Sequence, residues 1–179
     1  ENRGEGLLRE QTEVCDAQIT DEPGVALVAF TADCTPILLF DPVRKAIAAI
    51  HAGWRGTALG IAAKTVEAMT RAYGCKPENI RAAIGPCIGQ CCFETDEDVP
   101  QAMRSALGSE AEACIERRGE KFHVDNKALN RIWLTRAGVR CIDISADCTM
   151  CQPERFWSHR VTHGERGSLA AVIRLPAQR

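Results

Sequence analysis

The sequence predicts an α+β fold built around a mixed β-sheet, and three observations carry that expectation. Short continuous apolar runs of buried-strand length occur at 25–30 (VALVAF), 37–40 (ILLF) and 45–50 (KAIAAI), separated by turn signals. Three other stretches repeat their apolar residues with the 3.6-residue period of an amphipathic helix. Strands and helices are interspersed without a strict βαβ alternation, which favours a mixed sheet over an all-parallel one.

Taken in order, residues 1–14 are polar and peripheral, and Pro23-Gly24 marks a turn before the first run. Pro36 opens the second run and Asp41-Pro42 closes it; three such runs in succession suggest neighbouring strands of a covered sheet. Over 57–73 the spacing of Leu59, Ala62, Ala63, Val66, Met69 and Tyr73 predicts one helix, with Gly74 as its left-handed cap. Residues 80–84 return to strand character and Gly85-Pro86 breaks it, while 91–94 reads as a further short strand. A helix is expected over 98–107, with Asp98 as N-cap and Val99, Met103, Ala106 and Leu107 inward. Residues 108–119 read as a polar connector and 122–124 as a strand. Asp125 caps a helix carrying Leu129, Ile132 and Trp133 on one face and ending at Gly138, and 139–144, 156–159 and 168–175 are the remaining strand candidates.

The 179 residues suit one domain, with no repeat and no long linker. A hydrophobic fraction of 45% and a charged fraction of 26% place the chain among globular proteins. A net charge of −2 gives no general attraction to nucleic acid or to an anionic membrane. The arginine-rich end (Arg155, Arg160, Arg166, Arg174, Arg179) reads as a structural or solvated set. No apolar run approaches the length of a membrane span. Ten cysteines with no secretion signal point to a reducing cytosol and not to a disulfide framework. Cys34, Cys91, Cys92 and Cys141 lie in or beside apolar runs and are expected to pack as small hydrophobes. The chain opens at Glu1 without a methionine, inside a polar run, and is read as lacking upstream residues.

The candidate chemistry concentrates between residues 31 and 60. Cys34 follows an acid and His51 ends an apolar run, so pairing of those strands would bring both side chains to one sheet edge. A thiolate beside an imidazole suits a cysteine nucleophile with its base, and equally a zinc ion with an open position. The alternative is a buried cysteine and a histidine bonded to backbone. The loop Gly53-Trp54-Arg55-Gly56, between strand and helix, presents backbone N–H groups and a guanidinium to an anion, or else is a tight turn whose arginine pairs with an acid. It has neither the Walker pattern nor the dinucleotide fingerprint. Glu94 is a candidate general acid or base, with a surface carboxylate as the plainer reading. Cys148-x-x-Cys151 has metal-knuckle spacing but no matching second pair, so an incidental reduced turn is expected; Cys91 and Cys92 are expected to pack on opposite strand faces. His123, His159 and His163 sit in polar contexts and are expected to be exposed, and 85–89 (GPCIG) is a turn that could line a pocket.

The segments TADCTPILLFD, AAIHAGWRGTALG and AAIGPCIGQCCFE resemble signature blocks of the purine nucleoside phosphorylase / polyphenol oxidase (laccase-domain) family, which includes the bacterial peptidoglycan editing factor. The resemblance implies one domain over 1–179, lacking its N-terminal part, folded as a four-layer α/β/β/α sandwich with mixed β-sheets. It implies one zinc held by His, Cys and His. Cys34 matches the cysteine and His51 the second histidine, while the first belongs to a QVHG-type motif that is absent here and is expected upstream of Glu1. At the other end SHRVTHGERG stands in place of a tyrosine-containing arginine motif and a Gly-Arg pair, which leaves His159, Arg160 and Arg166 as open pocket candidates.

The implied activity is zinc-dependent phosphorolysis of purine nucleosides (adenosine, inosine, guanosine, with methylthioadenosine as a further candidate), with adenosine deamination as a side activity. Arg55, Gly53 and Gly56 would take phosphate and Glu94 would carry a proton. Copper-dependent polyphenol oxidation ranks lower because the site has few histidines. A cysteine hydrolase using Cys34 and His51, and a non-catalytic regulator of peptidoglycan synthesis, are the other readings.

Overall fold

The structure, a computed structural model, describes residues 15–177, so the polar start and Arg179 lie outside the described residues. A five-stranded mixed sheet forms its centre, built from β1 (Ala17–Thr20), β3 (Thr35–Asp41), β4 (Ala46–Ala52), β5 (Arg81–Ile84) and β9 (Cys141–Ile144) in the order β1-β4-β3-β5-β9. The first four pair antiparallel, and β9 joins β5 in parallel.

Both faces of this sheet are covered, which is why β3 and β4 read as unbroken apolar runs. On one face Ile37, Leu39, Ala46, Ala48 and Ile50 pack against Ala62, Val66 and Met69 of α2 (Ile61–Tyr73) and Leu134 of α4 (Asn126–Arg136). On the other, Ile47, Ala49, Leu38 and Phe40 meet Leu27 and Ala29 of β2 (Ala26–Thr31) and Ala171 and Ile173 of β10 (Leu169–Arg174). β2 and β10 pair as an antiparallel two-stranded ribbon. Helix, sheet and ribbon give the α/β/β succession of layers, and the outward face of the ribbon exposes Phe30 and Val172 among the described residues. Side chains as fully buried as Ile37, Leu39 and Ile50 contribute roughly 1.5–3 kcal/mol each.

A second core sits beside this sandwich. It packs Val99, Met103 and Leu107 of α3 (Asp98–Leu107) against Val124 of β8 (Lys121–Val124) and Leu129 of α4. β6 (Glu94–Thr95), β8 and β7 (Ile115–Arg118) form its three-stranded sheet in the order β6-β8-β7. Asp125 caps α4 as expected, its carboxylate accepting from the Ala128 N–H at 3.0 Å.

Several local expectations are corrected. The helix expected over 57–73 is two helices, α1 (Trp54–Ala58) and α2, broken at Gly60, whose φ of 72° is left-handed. Leu59 therefore lies on the break and is exposed instead of facing the core. Asp98 is the first helical residue and Glu97 the cap position, which uses no side-chain bond. The connector at 108–119 contains a 3-10 helix (Gly108–Cys114) and β7. Residues 156–159 form no strand; Ser158 caps the short helix α5 (His159–Thr162) by accepting from the Val161 N–H. β1 has no counterpart among the expected elements.

Candidate active site and a cluster of four thiols

The β3–β4 ladder builds the first site. Its register pairs Thr35 with Ala52 and Pro36 with His51, so Cys34, one step before β3, comes opposite Gly53. His51 and Gly53 are two apart and share a sheet face, which brings the Cys34 thiol beside the His51 ring. A Cβ placed on Gly53 would stand 3.4 Å from Cys34 Sγ and 3.6 Å from His51 Cε1. The Cys34–His51 convergence expected from the sequence is therefore what the ladder produces.

Asp16, which sequence reasoning passed over, completes the arrangement. It immediately precedes β1, whose pairing with β4 places it across from His51, and the His51 backbone N–H donates to the Asp16 carbonyl at 2.7 Å. The Asp16 carboxylate lies 2.9 Å from His51 Nδ1, leaving Nε2 as the ring nitrogen that Asp16 does not engage. The neighbouring Cys34 thiol is the largest influence on the imidazole and raises its pKa; burial opposes, Asp16 adds to the rise, and the ring is pushed up to about 9. A carboxylate behind a histidine fixes its tautomer and orientation, as metal-ligating and catalytic histidines both require. Imidazole and thiolate are suitable zinc donors, so the pair fits two of the three protein ligands of a catalytic zinc site. Among the described residues no third side chain joins them closely enough to complete such a set.

The loop residues divide. Gly53 touches the pair directly, whereas Gly56 lies inside α1, its open side toward Ile61. Arg55 is exposed, stacks 4.2 Å above the ring centre of Trp54, and pairs with no carboxylate among the described residues. Among the described residues the paired-arginine alternative does not form, and the helix following Gly53 is only one turn long and starts at Trp54, three residues before the expected start. Glu94 is exposed. Its carboxylate stands 3.8 Å from His123 Nε2, and its backbone carbonyl accepts two bonds from the Arg160 guanidinium at 3.1 Å. His123 is buried instead of exposed, with Nδ1 2.8 Å from the Gln90 carbonyl, while His159 and His163 are exposed.

Asp33, next to Cys34, anchors the C-terminal segment. Its carboxylate accepts from Thr149 Oγ1 at 2.6 Å, Ser158 Oγ at 3.0 Å and the Arg160 backbone N–H at 2.7 Å, and it holds a left-handed φ of 77°. The dipeptide that presents the thiol is therefore braced from residues more than a hundred positions away.

A second constellation overturns two expectations. Cys91 and Cys92 do not lie on opposite faces of a strand; they sit in a turn before β6 and meet Cys148 and Cys151, all four sulfurs within 4.8 Å of one another. The Cys148-x-x-Cys151 turn thus has the second pair that its own neighbourhood in the sequence lacked. Cys91, Cys141 and Cys151 are exposed and Cys34 and Cys92 half-buried, whereas the thiols that pack as hydrophobes are Cys75, Cys87 and Cys114. Burial pushes Cys75 up to about 12 and Cys87 and Cys114 up to about 11. Burial also pushes Cys148 upward, but hydrogen bonds from the Gly89 and Cys151 backbone and from neighbouring thiols outweigh it and bring it to about 7.

Comparison with known proteins agrees with this fold. Residues 3–176 match the family described as multi-copper polyphenol oxidoreductase laccase. The chain is 43% identical over 162 residues to a purine nucleoside phosphorylase of Deinococcus radiodurans, covering 90% of this chain and 61% of that protein. It is 38% identical over 148 residues to adenosine deaminase RL5 of an unknown prokaryotic organism, covering 81% and 56%. Among solved structures, the Bacillus licheniformis hypothetical protein YfiH superposes with a TM-score of 0.86 at 37% identity, over 89% of this chain and 61% of that one. The chain spans less than two thirds of the length of curated relatives that it matches, from 36% of one to 65% of another. No helix of the described residues is long and apolar enough to cross a membrane.

Proposed function

This chain belongs to the family described as multi-copper polyphenol oxidoreductase laccase, and from that membership we propose that it is part of a zinc-dependent purine nucleoside phosphorylase with adenosine deaminase side activity. The observation that carries the reading is the Asp16–His51–Cys34 arrangement, followed on α1 by Arg55, which pairs with no carboxylate among the described residues. Relatives that bear the names purine nucleoside phosphorylase and adenosine deaminase support it. The domain would then be a single laccase-domain unit in which Cys34 and His51 supply two of the zinc ligands.

In phosphorolysis the bond from C1′ to the purine breaks, a phosphate oxygen forms the new bond to C1′, and the departing purine takes up a proton. Cys34 and His51 would hold the zinc, with Asp16 fixing the orientation of the His51 ring. When bound, zinc supplies Lewis acidity and lowers the pKa of a water ligand, a requirement of deamination. Arg55 provides a bidentate fork for phosphate, held in place by stacking on Trp54. Gly53 leaves room beside the pair. Glu94, beside His123, is the candidate proton carrier. The site holds one histidine beside Cys34, which favours zinc over a multi-copper centre.

Incubation of the full-length protein with inosine or adenosine and phosphate tests the reading. Ribose 1-phosphate should appear with metal-replete protein and disappear in Cys34→Ala and His51→Ala; its absence from the metal-replete protein would overturn the assignment. The Asp16–His51–Cys34 order also fits a cysteine hydrolase. Rapid alkylation of Cys34 with zinc still bound would favour that second reading, and alkylation only after zinc removal the first.

A further inference from the structure

We propose that Cys91, Cys92, Cys148 and Cys151 form a second metal centre, a tetrathiolate zinc site, structural in role and separate from the Cys34–His51 pair. Zinc holds four sulfurs at about 2.3 Å in a tetrahedron, which sets them about 3.8 Å apart. Here Cys91 Sγ and Cys92 Sγ stand 3.7 and 3.4 Å from Cys151 Sγ, and all four sulfurs lie within 4.8 Å. The donor set is soft and uniform, which selects zinc over hard cations.

The surroundings are those of a ligand cradle. The Gly89 backbone N–H donates to Cys148 Sγ at 3.2 Å, the outer bond that orients and stabilises a ligating thiolate. A Cβ on Gly89 would stand 3.3 Å from both Cys91 Sγ and Cys148 Cβ, so this close approach of the two loops uses the absence of a side chain. The loops are already registered, since Cys87 and Cys148 form a parallel bridge and the Thr149 N–H donates to the Cys87 carbonyl at 3.0 Å.

The site has a consequence for the active-site candidate. It would clip the loop before β6 to the turn at 148–151; that turn supplies Thr149 to Asp33, and the start of α5 further along supplies Ser158 and Arg160. The second metal would therefore brace the backbone that presents Cys34 without touching the reacting atoms.

The test uses the full-length protein purified under reducing conditions. Metal content and the charge-transfer and ligand-field bands of the cobalt-substituted protein would be measured for the parent, Cys34→Ala, and the double variant Cys148→Ser/Cys151→Ser. The expected result is one zinc that survives Cys34→Ala, shows tetrahedral thiolate cobalt bands there, and is lost in the double variant. Should the double variant fail to fold, the parent and Cys34→Ala still decide the matter. Three outcomes would overturn the proposal: no zinc left in Cys34→Ala, iron or copper in its place, or a Cys92–Cys151 disulfide in protein kept anaerobic. Because the phosphorolysis reading rests on Cys34 and His51, it can fail while this site stands, and the reverse.

Discussion

Asp16 makes a contact from which a definite loss follows. Its carboxylate is exposed, yet it sits 2.9 Å from His51 Nδ1. Asp16→Asn should leave the melting temperature nearly unchanged while lowering metal affinity or kcat/KM by about 10- to 100-fold, the range for partners behind a ligating histidine. Steady-state kinetics beside metal titration would check it, and unchanged values for both would remove Asp16 from the site. Gly53→Ala makes the complementary prediction. The added methyl would enter at 3.4 Å from Cys34 Sγ and 3.6 Å from the His51 ring, so activity should fall with little loss of stability. Neither residue's role was equally visible in the sequence: Gly53 stood in a glycine-framed loop, whereas Asp16 precedes a four-residue strand with no apolar pattern to announce it.

At the scale of elements, Gly60 separates α1 from α2 at a left-handed φ of 72°, and a Cβ there would stand 3.4 Å from the Trp133 ring. Gly60→Ala should destabilise by about 1–2 kcal/mol, the cost of holding a non-glycine residue in that conformation. A shift in urea midpoint would report it. Leu59→Ala, one position earlier but exposed, should change stability by less than about 0.5 kcal/mol. The 3.6-residue period ran through this break because α1 and α2 are nearly continuous in sequence; periodicity reports faces, not interruptions. β3 and β4 were legible for the opposite reason, since burial on both faces leaves an unbroken apolar run whose length betrays a strand. The 156–159 segment misled because Phe156 and Trp157 have strand-like composition, while Ser158, capping α5 and donating to Asp33, decided the local conformation.

Over the whole molecule, Asp33 ties the C-terminal segment to the catalytic candidate by three hydrogen bonds. Asp33→Ala removes them and leaves a left-handed residue unsupported, so a loss of at least about 2 kcal/mol is expected. Hydrogen exchange should quicken across 147–162, with Asp33→Asn less affected because asparagine tolerates the conformation. This bracket and the assembly of the four-thiol cluster were hidden in the sequence for one reason: their halves lie far apart along the chain, so that even the knuckle spacing of Cys148 and Cys151 did not point to Cys91 and Cys92. The β3–β4 ladder has a reach that its chemistry alone does not suggest. Its turn, fixed by Asp41 Oδ1 accepting from the Val43 and Arg44 N–H groups at 2.8 and 3.1 Å, lies about 24 Å along the strand from Cys34. That distant bend acts as a gauge for the thiol and the imidazole: substitutions that keep its length should be harmless, whereas one inserted residue would turn one partner away from the other and silence the site from its far end.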